Sequence, residues 1–367
     1  MRKALLQAVV LAIAWVAQVA MSSPVISNSP DRHLSKIPVW SPSASFESKS
    51  SPRPQPFADR PSYPPSRIPV LDPSLNRHNM KIKGRNPAPS TSLDDSIVKT
   101  LSRYMKFSGA VYCANISTSR MWDCGELCTG ETSGTQVLAT LHDTKSNRHG
   151  SAVGIIAIQH NTETIIVAFR GSVFLSDWVT NFKFSIAVTA GTLFKSKDRS
   201  APRNVLIHSG YRRAYLRIRK QLRFSLKAIV SLFPAYQIVF TGHSMGGGLA
   251  SIAAMDAAVD FGPPKTPSMH IYTYGMPRVG NSVWANWVNS ISFGSVYRVA
   301  RWNDPIPRIP QMFLGYRHFS QGIGIDRNDR TVNCTNTGVA GETSDCDGVK
   351  SGSPSVEAHI WGYYWAS

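Results

Sequence analysis

The stretch from Val239 to Met255, VFTGHSMGGGLASIAAM, leaves the backbone very few courses. Its approach, QIVFT from Gln237 to Thr241, is a short β-branched run of the kind that forms a buried central strand. Beyond it, Leu249, Ala250, Ile252, Ala253 and Ala254 are small residues and helix formers that can lie close to a sheet. The change from strand to helix must therefore fall within Gly242-His243-Ser244-Met245-Gly246, in a turn with no room for a bulky Cβ beside it. A serine there stands at the positive end of a helix, its oxygen held up by a strained turn. The bare G-x-S-x-G pattern arises by chance in roughly one chain in ten of this length, so the flanks carry the argument. They point to Ser244 as a nucleophile, with an ordinary Gly-rich turn as the competing reading.

The surrounding pattern is α/β. Apolar, β-rich runs recur at SAVGIIAIQ, ETIIVAF, QIVFT, MHIYTYG and GSVYRVA. Helical spacing appears between the later runs, in GYRRAYLRIRKQLRFSLKAIVSLF and SVWANWVNSI. This order predicts a mainly parallel central sheet covered by helices and opened by an antiparallel pair at the first two runs. Ligands bind such sheets beyond the carboxyl ends of the strands.

The amino-terminal quarter reads differently. Residues 1–22 combine a basic start, MRK, with an apolar core and the small-x-small triplet Ala20-Met21-Ser22, the form of a secretion signal. The alternative is an uncleaved anchor, since the apolar run approaches a short membrane span. Residues 23–90 hold 14 of the 24 prolines, many serines and no cysteine. Such a segment buries too little surface to offset its ordering entropy, which suits a disordered propeptide or linker, with a stalk or tether as the alternative. Residues 91–367 are then the folded domain.

Five cysteines in a secreted chain suggest staples, with Cys124 and Cys128 close enough for one and Cys334 and Cys346 for another, leaving Cys113 over. No paired C-x2-C or H-x3-5-H spacing appears, so no metal is expected. Asn115-Ile116-Ser117 and Asn333-Cys334-Thr335 are N-glycosylation sequons. The net charge of +18 raises the question of nucleic acid. Twelve Lys and Arg against four acids lie in the first 90 residues, leaving about +10 on the domain, where YRRAYLRIRKQLR reads as one helix of mostly solvated charge. With no aromatic groove to stack bases, attraction to anionic lipid or released fatty acid fits better than nucleic acid.

A nucleophilic Ser244 needs a base and a group to orient it, in the α/β-hydrolase arrangement following as Asp or Glu and then His. Asp304 is the best-placed acid, directly after SVYRVARWN and ahead of Pro305, which stops the ladder. Asp326, Asp329, Asp345 and Asp347 lie in polar loops. His270 sits inside MHIYTYG and reads as a packed residue, whereas His318 and His359 both remain open as the base. One oxyanion donor is the backbone N–H of Met245, and a second should come from Arg170-Gly171-Ser172, after a strand ending at Phe169. Beyond it, Phe174, Leu175, Trp178 and Val179 share one face of a short predicted helix, which suits a lid over the site or an ordinary helix turned to the core.

Together AFRGS, GHSMGG, YGMPRVGN, ARWNDPIPRIP and AHIWGYY resemble, in order from about Leu93 to the end, the secreted filamentous-fungal class 3 triacylglycerol lipases. The resemblance implies an α/β-hydrolase fold and a Ser244, Asp304, His359 triad, which decides between the two histidines. It also implies Ser172 and Met245 as the oxyanion hole and Phe174 to Asn181 as the lid, with Trp178 its tryptophan. The implied activity is interfacial hydrolysis of acylglycerol esters without a cofactor, in peripheral contact with lipid surfaces. A feruloyl-type esterase is the neighbouring possibility, and a non-catalytic lipid-surface binder a remoter one. In that family the cysteine of the YC pair joins one near the carboxyl terminus. The equivalent Cys113 has no such partner before Ser367, and is expected to be unpaired or paired between chains.

Overall fold

The computed structural model describes residues 93–143, 153–172, 193–196, 199–320, 322–334, 342 and 354–363, with backbone alone at 187–189 and 361. All of them lie in one compact unit, Pro87–Ser367. The signal-like residues 1–22, the Pro/Ser-rich residues 23–90, the lid candidates Phe174, Leu175, Trp178 and Val179, and Cys346 lie outside the described residues.

The strands in chain order are β1 Gln136–His142, β2 Val153–Gln159, β3 Thr164–Phe169, β4 Ala187–Thr189, β5 Leu206–His208, β6 Gln237–His243, β7 Met269–Tyr274, β8 Gly280–Asn281, β9 Ser295–Arg301, β10 Tyr316–Arg317, β11 Gly322–Ile325 and β12 Thr331–Asn333. The helices are α1 Asp95–Ala110, α2 Ala114–Ser119, α3 Ser209–Leu232, α4 Met245–Phe261, α5 Ser282–Ser290 and α6 Val356–Trp361. Eight strands form the main sheet in the order β1-β2-β3-β6-β7-β9-β11-β12, and four short ones a second sheet, β10-β8-β5-β4. Pairing is parallel from β3 through β6, β7 and β9 to β11, and antiparallel at both margins. The expected antiparallel opening of β2 with β3 is present, with β1 added outside it.

Side chains alternate between two cores because successive residues of a strand face opposite ways. On β3, Ile165, Val167 and Phe169 join the core shared with α3, α4 and α5. Ile166 and Ala168 join the core under α1. Helices thus cover both faces of the sheet, the α/β-hydrolase architecture. Helix α3 packs through Tyr211, Tyr215, Ile218, Leu222, Leu226 and Ile229, a helical stripe. Its charge is less solvated than the sequence suggested. Arg219 donates to both oxygens of the buried Asp256 on α4 at 2.9 and 3.0 Å, and Arg223 donates to Asp260 at 2.5 Å. Tyr215 donates to Asp256 as well.

The cysteine expectation needs correction. Cys113 is bonded to Cys124, Cα to Cα 6.1 Å. Cys128 is a free thiol at the end of a short 3₁₀ turn, Gly125–Cys128, buried beneath α1, and burial pushes it up to about 11. The end of α1 turns straight into α2 at Cys113, and that turn brings Cys113 to Cys124; nearness in sequence had favoured Cys128 instead. Cys334 is disulfide-bonded. Of the sequons, Asn115 is exposed and Asn333 half-buried.

Helix α4 is buried from Met245 to Val259 and apolar around most of its circumference, with Asp256 the charged exception, as a helix packed between the sheet and α3 must largely be. Its first turn touches the sheet: a Cβ added to Gly246 would lie 2.1 Å from the Phe169 carbonyl oxygen. Backbone meets backbone there, so neither side can give cheaply. Gly246→Ala, normally favourable within a helix, is therefore expected to destabilise by at least the 1–3 kcal/mol typical of overpacking, read as a lower urea midpoint. An unchanged midpoint would contradict this contact.

Candidate active site

Four loops leave the carboxyl ends of neighbouring strands and meet. They follow β3 at Gly171-Ser172, β6 at Ser244, β7 at Gly275 and β9 at Asp304. Ser244 is 1% exposed and has φ 59° and ψ −130°, a conformation seldom adopted by a residue with a side chain. Its N–H donates to the Tyr274 carbonyl at 2.8 Å and its carbonyl accepts from Gly247, which fix the turn from both sides. Met245 opens α4, where a first-turn N–H has no intrahelical acceptor. Gly171 lies directly against the serine, since a Cβ there would be 3.0 Å from Ser244 Cβ.

His359 is brought in by α6, whose amino end is capped by Ser355 accepting from Ala358 N–H, while Ser355 N–H donates to the Asn303 carbonyl. His359 Nδ1 lies 2.7 Å from Asp304 Oδ2, and both side chains are buried. A carboxylate only accepts, so Nδ1 carries the proton and Nε2 is left as a bare acceptor. That Nε2 and the Ser244 hydroxyl are both buried without a hydrogen-bond partner.

Asp304 also accepts from the Tyr363 hydroxyl on Oδ2 at 2.5 Å and from Ile306 N–H on Oδ1 at 2.8 Å. Burial, then the Asp304 charge and its hydrogen bond, push the Tyr363 phenol well above its ordinary value, so it stays a donor. Gly275 admits this cluster. It has φ +57°, and a Cβ there would meet His359 at 2.9 Å and Asp304 at 3.0 Å. Tyr363 was legible in principle, because its i+4 spacing from His359 in AHIWGYY puts both on one side of a helical turn. Gly275 carries no comparable signal.

The other histidines stand apart. His270 is at the start of β7, the end away from Ser244, with Nδ1 2.8 Å from Ser295 Oγ. His318 is fully buried, and its Nε2 donates to the Pro307 carbonyl at 2.6 Å. It belongs to a polar cluster behind the Asp304 loop. There Arg278 donates to Glu342 through Nε at 2.9 Å and Nη2 at 2.8 Å, and to the carbonyls of Arg308 and Pro310. His318 N–H donates to Glu342 as well.

Residues 166–314, from β3 to just beyond the Asp304 loop, match the family model described as lipase (class 3). The chain is 32% identical over 203 residues to a secreted mono- and diacylglycerol lipase of Fusarium solani, covering 54% of this chain and 55% of that one. It is 30% identical over 213 residues to a secreted mono- and diacylglycerol lipase of Penicillium cyclopium, covering 57% and 65%. The chain thus spans only part of the length of these relatives, and over residues 166–314 it is similar to the class 3 lipases. A longer but weaker match, 25% over 314 residues, is to a lipase of Rhizomucor miehei, covering 78% of this chain and 80% of that one. Among solved structures, a triacylglycerol lipase whose catalytic centre is described as a serine protease triad superposes with TM-score 0.63 at 24% identity, over 74% of this chain and 96% of that one. At that identity the likeness speaks for the fold. The class 3 match contains Ser172, Ser244 and Asp304 and stops short of His359.

Burial raises the Glu342 carboxyl, but hydrogen bonds from Arg278, the His318 and Arg278 charges and the His318 N–H hold it below its ordinary value. A depressed carboxyl adds stability that is present above the unfolded value, about 4.3, and is lost as pH falls through the folded one. Glu342→Gln should cost about 3–5 kcal/mol near neutral pH, because it leaves Arg278 buried and uncompensated. The penalty should shrink below about pH 4, measured as the difference in unfolding free energy between variant and wild type. A constant difference across that range would refute the ion-pair account.

Proposed function

We propose that this chain is a secreted serine ester hydrolase that cleaves acylglycerols at a lipid–water interface. The observation that carries the reading is a buried His359–Asp304 pair whose Nε2 is left without a partner, together with a buried, unpartnered Ser244 hydroxyl in a strained strand-to-helix turn. In this reading Ser244 Oγ attacks the ester carbonyl carbon as His359 Nε2 takes its proton. The tetrahedral oxyanion collapses to the acyl-enzyme, and His359 gives its proton to the departing alcohol. Water then repeats the sequence in reverse and releases the fatty acid. Asp304 holds the imidazole tautomer and stabilises its cationic form, with Tyr363 and Ile306 N–H keeping the carboxylate oriented. Backbone N–H groups of Met245 and Ser172 take up the oxyanion charge, favoured by the amino end of α4.

The acylglycerol substrate is inferred from the names of the Fusarium and Penicillium relatives, both secreted mono- and diacylglycerol lipases. The signal-like residues 1–22 agree with secretion, and residues 23–90 are read as a propeptide or linker ahead of the catalytic domain. Phe174, Leu175, Trp178 and Val179 are assigned to a lid on their sequence pattern. The same pattern favours a lipase over a feruloyl-type esterase, whose lid would be polar.

Ser244→Ala and His359→Ala should each lower kcat on the order of 10⁶-fold, and Asp304→Ala by less. His318→Ala should leave the turnover of folded protein far closer to wild type, as measured with a soluble short-chain ester. Loss at His318 equal to that at His359, in a folded protein, would overturn the assignment of the base.

Exposing the four apolar lid side chains to water would cost roughly 1.5–3 kcal/mol each, or about 6–12 kcal/mol as an upper bound. A lipid surface accepts the same apolar face and removes most of that cost. Hydrolysis should therefore rise sharply as an ester passes its solubility limit, and Leu175→Ser with Trp178→Ser should flatten the rise while sparing soluble substrate. Smooth saturation through that limit, with feruloyl esters preferred to acylglycerols, would favour the esterase instead.

A further inference from the structure

His243 precedes the serine on β6 and has no part in the steps above, yet it is 5% exposed and both ring nitrogens are engaged. Nε2 lies 2.8 Å from the main-chain carbonyl oxygen of His359. Nδ1 lies 3.2 Å from the Tyr112 hydroxyl, just beyond the end of α1. That hydroxyl accepts the N–H of Gly171 at 2.9 Å. The rings of His243 and His359 lie against each other, tilted by 34° with centroids 4.5 Å apart.

Every proton in this chain can be assigned. A carbonyl oxygen only accepts, so His243 Nε2 carries hydrogen. Burial, then the neighbouring His359 ring, hold His243 well below its ordinary value, so the ring is neutral and Nδ1 is an acceptor. The Gly171 N–H can only donate, so the Tyr112 oxygen receives it and turns its own hydrogen toward Nδ1. Three hydrogen bonds then run one way, from the loop beside the oxyanion site through Tyr112 and His243 to the backbone of the base.

We propose that Tyr112 and His243 are positioning residues that lock the Gly171-Ser172 loop to the main chain of His359, with His243 acting as the neutral Nε2–H tautomer. The inference rests on the hydrolase reading of Ser244 and His359. The two segments it joins are nearly two hundred residues apart in the sequence, and α6 is only six residues long. The oxyanion donors and the base must nevertheless act on the same carbonyl group, and displacements near 1 Å in such an arrangement can cost about 100-fold in rate.

The test uses Tyr112→Phe, His243→Gln and His243→Leu in the full chain, assayed with p-nitrophenyl butyrate and by stoichiometric labelling with a p-nitrophenyl phosphonate. Ring-nitrogen NMR of histidine-labelled wild type is recorded alongside. Tyr112→Phe should lower kcat about 10- to 100-fold with KM within about twofold, because orientation is lost and ester binding is not. His243→Gln, a neutral side chain with one acceptor and one donor end, should retain at least about tenfold more activity than His243→Leu. The wild-type spectrum should contain a buried imidazole carrying its proton on Nε2 alone, and its Nδ1 resonance should shift in Tyr112→Phe. A folded Tyr112→Phe with wild-type kcat, or a His243 protonated on Nδ1, would overturn the proposal. A wild type that neither turns over ester nor takes the phosphonate would refute the hydrolase reading instead. The tautomer would then still decide whether the hydrogen-bond chain exists, and it can be measured even if the variants fail to fold.

Discussion

The contact between the first turn of α4 and the end of β3 governs the rest of the site. Gly246 allows the helix to come so near that no side-chain carbon fits between it and the Phe169 carbonyl. That closeness determines where Ser244 stands, because the serine joins the strand beside β3 to the helix pressed upon it. It also puts the β3–Ser172 loop within reach of the same reacting group. A fold with the helix one methyl group further out would keep its sheet and lose the convergence. Rigidity matters as much as position, and α4 obtains it by being buried on every side.

Around this point the charges are arranged with an economy of donors. Asp304 receives an imidazole N–H, a phenol and a backbone N–H. Tyr363 in turn accepts the N–H of Arg301, the last residue of β9. Tyr112 plays a similar part on the opposite side, accepting a backbone N–H and facing a histidine. Each tyrosine thus ties a strand-end loop to a residue of the site, and a phenol suits that task because it accepts and donates at once without carrying charge into a dry interior.

What could be read from the sequence follows from what local pattern encodes. The central parallel strands were legible because burial on both faces leaves them apolar throughout, as in TIIVAF. Strand β1 was not, because its exposed and half-buried residues, QVLATLH, give a mixed signal at a sheet margin. Nor were the two- and three-residue strands of the second sheet, which are too short to carry a period. Ser244 and Asp304 stood out because each follows a strong strand. His359 required the family resemblance, since nothing local separates it from His318; their difference lies in partners, a carboxylate for one and a carbonyl for the other. Tyr112 and His243 were invisible because their bonds join residues 59 to 131 positions apart.

The free thiol at Cys128 bears on how the molecule is made. An unfolded chain closes short loops more readily than long ones, so Cys124 encounters Cys128 before Cys113. The native bond joins Cys124 to the more distant partner, and maturation becomes a contest between an early, local product and a later, correct one. A host rich in disulfide isomerase lets stability decide that contest, whereas an oxidising host without one lets speed decide. Since Cys128 is buried without a disulfide partner of its own, replacing it by a small apolar residue removes the competitor. Yield from heterologous secretion then depends less on how well the exporting cell isomerises this pairing, although the native disulfides must still be formed.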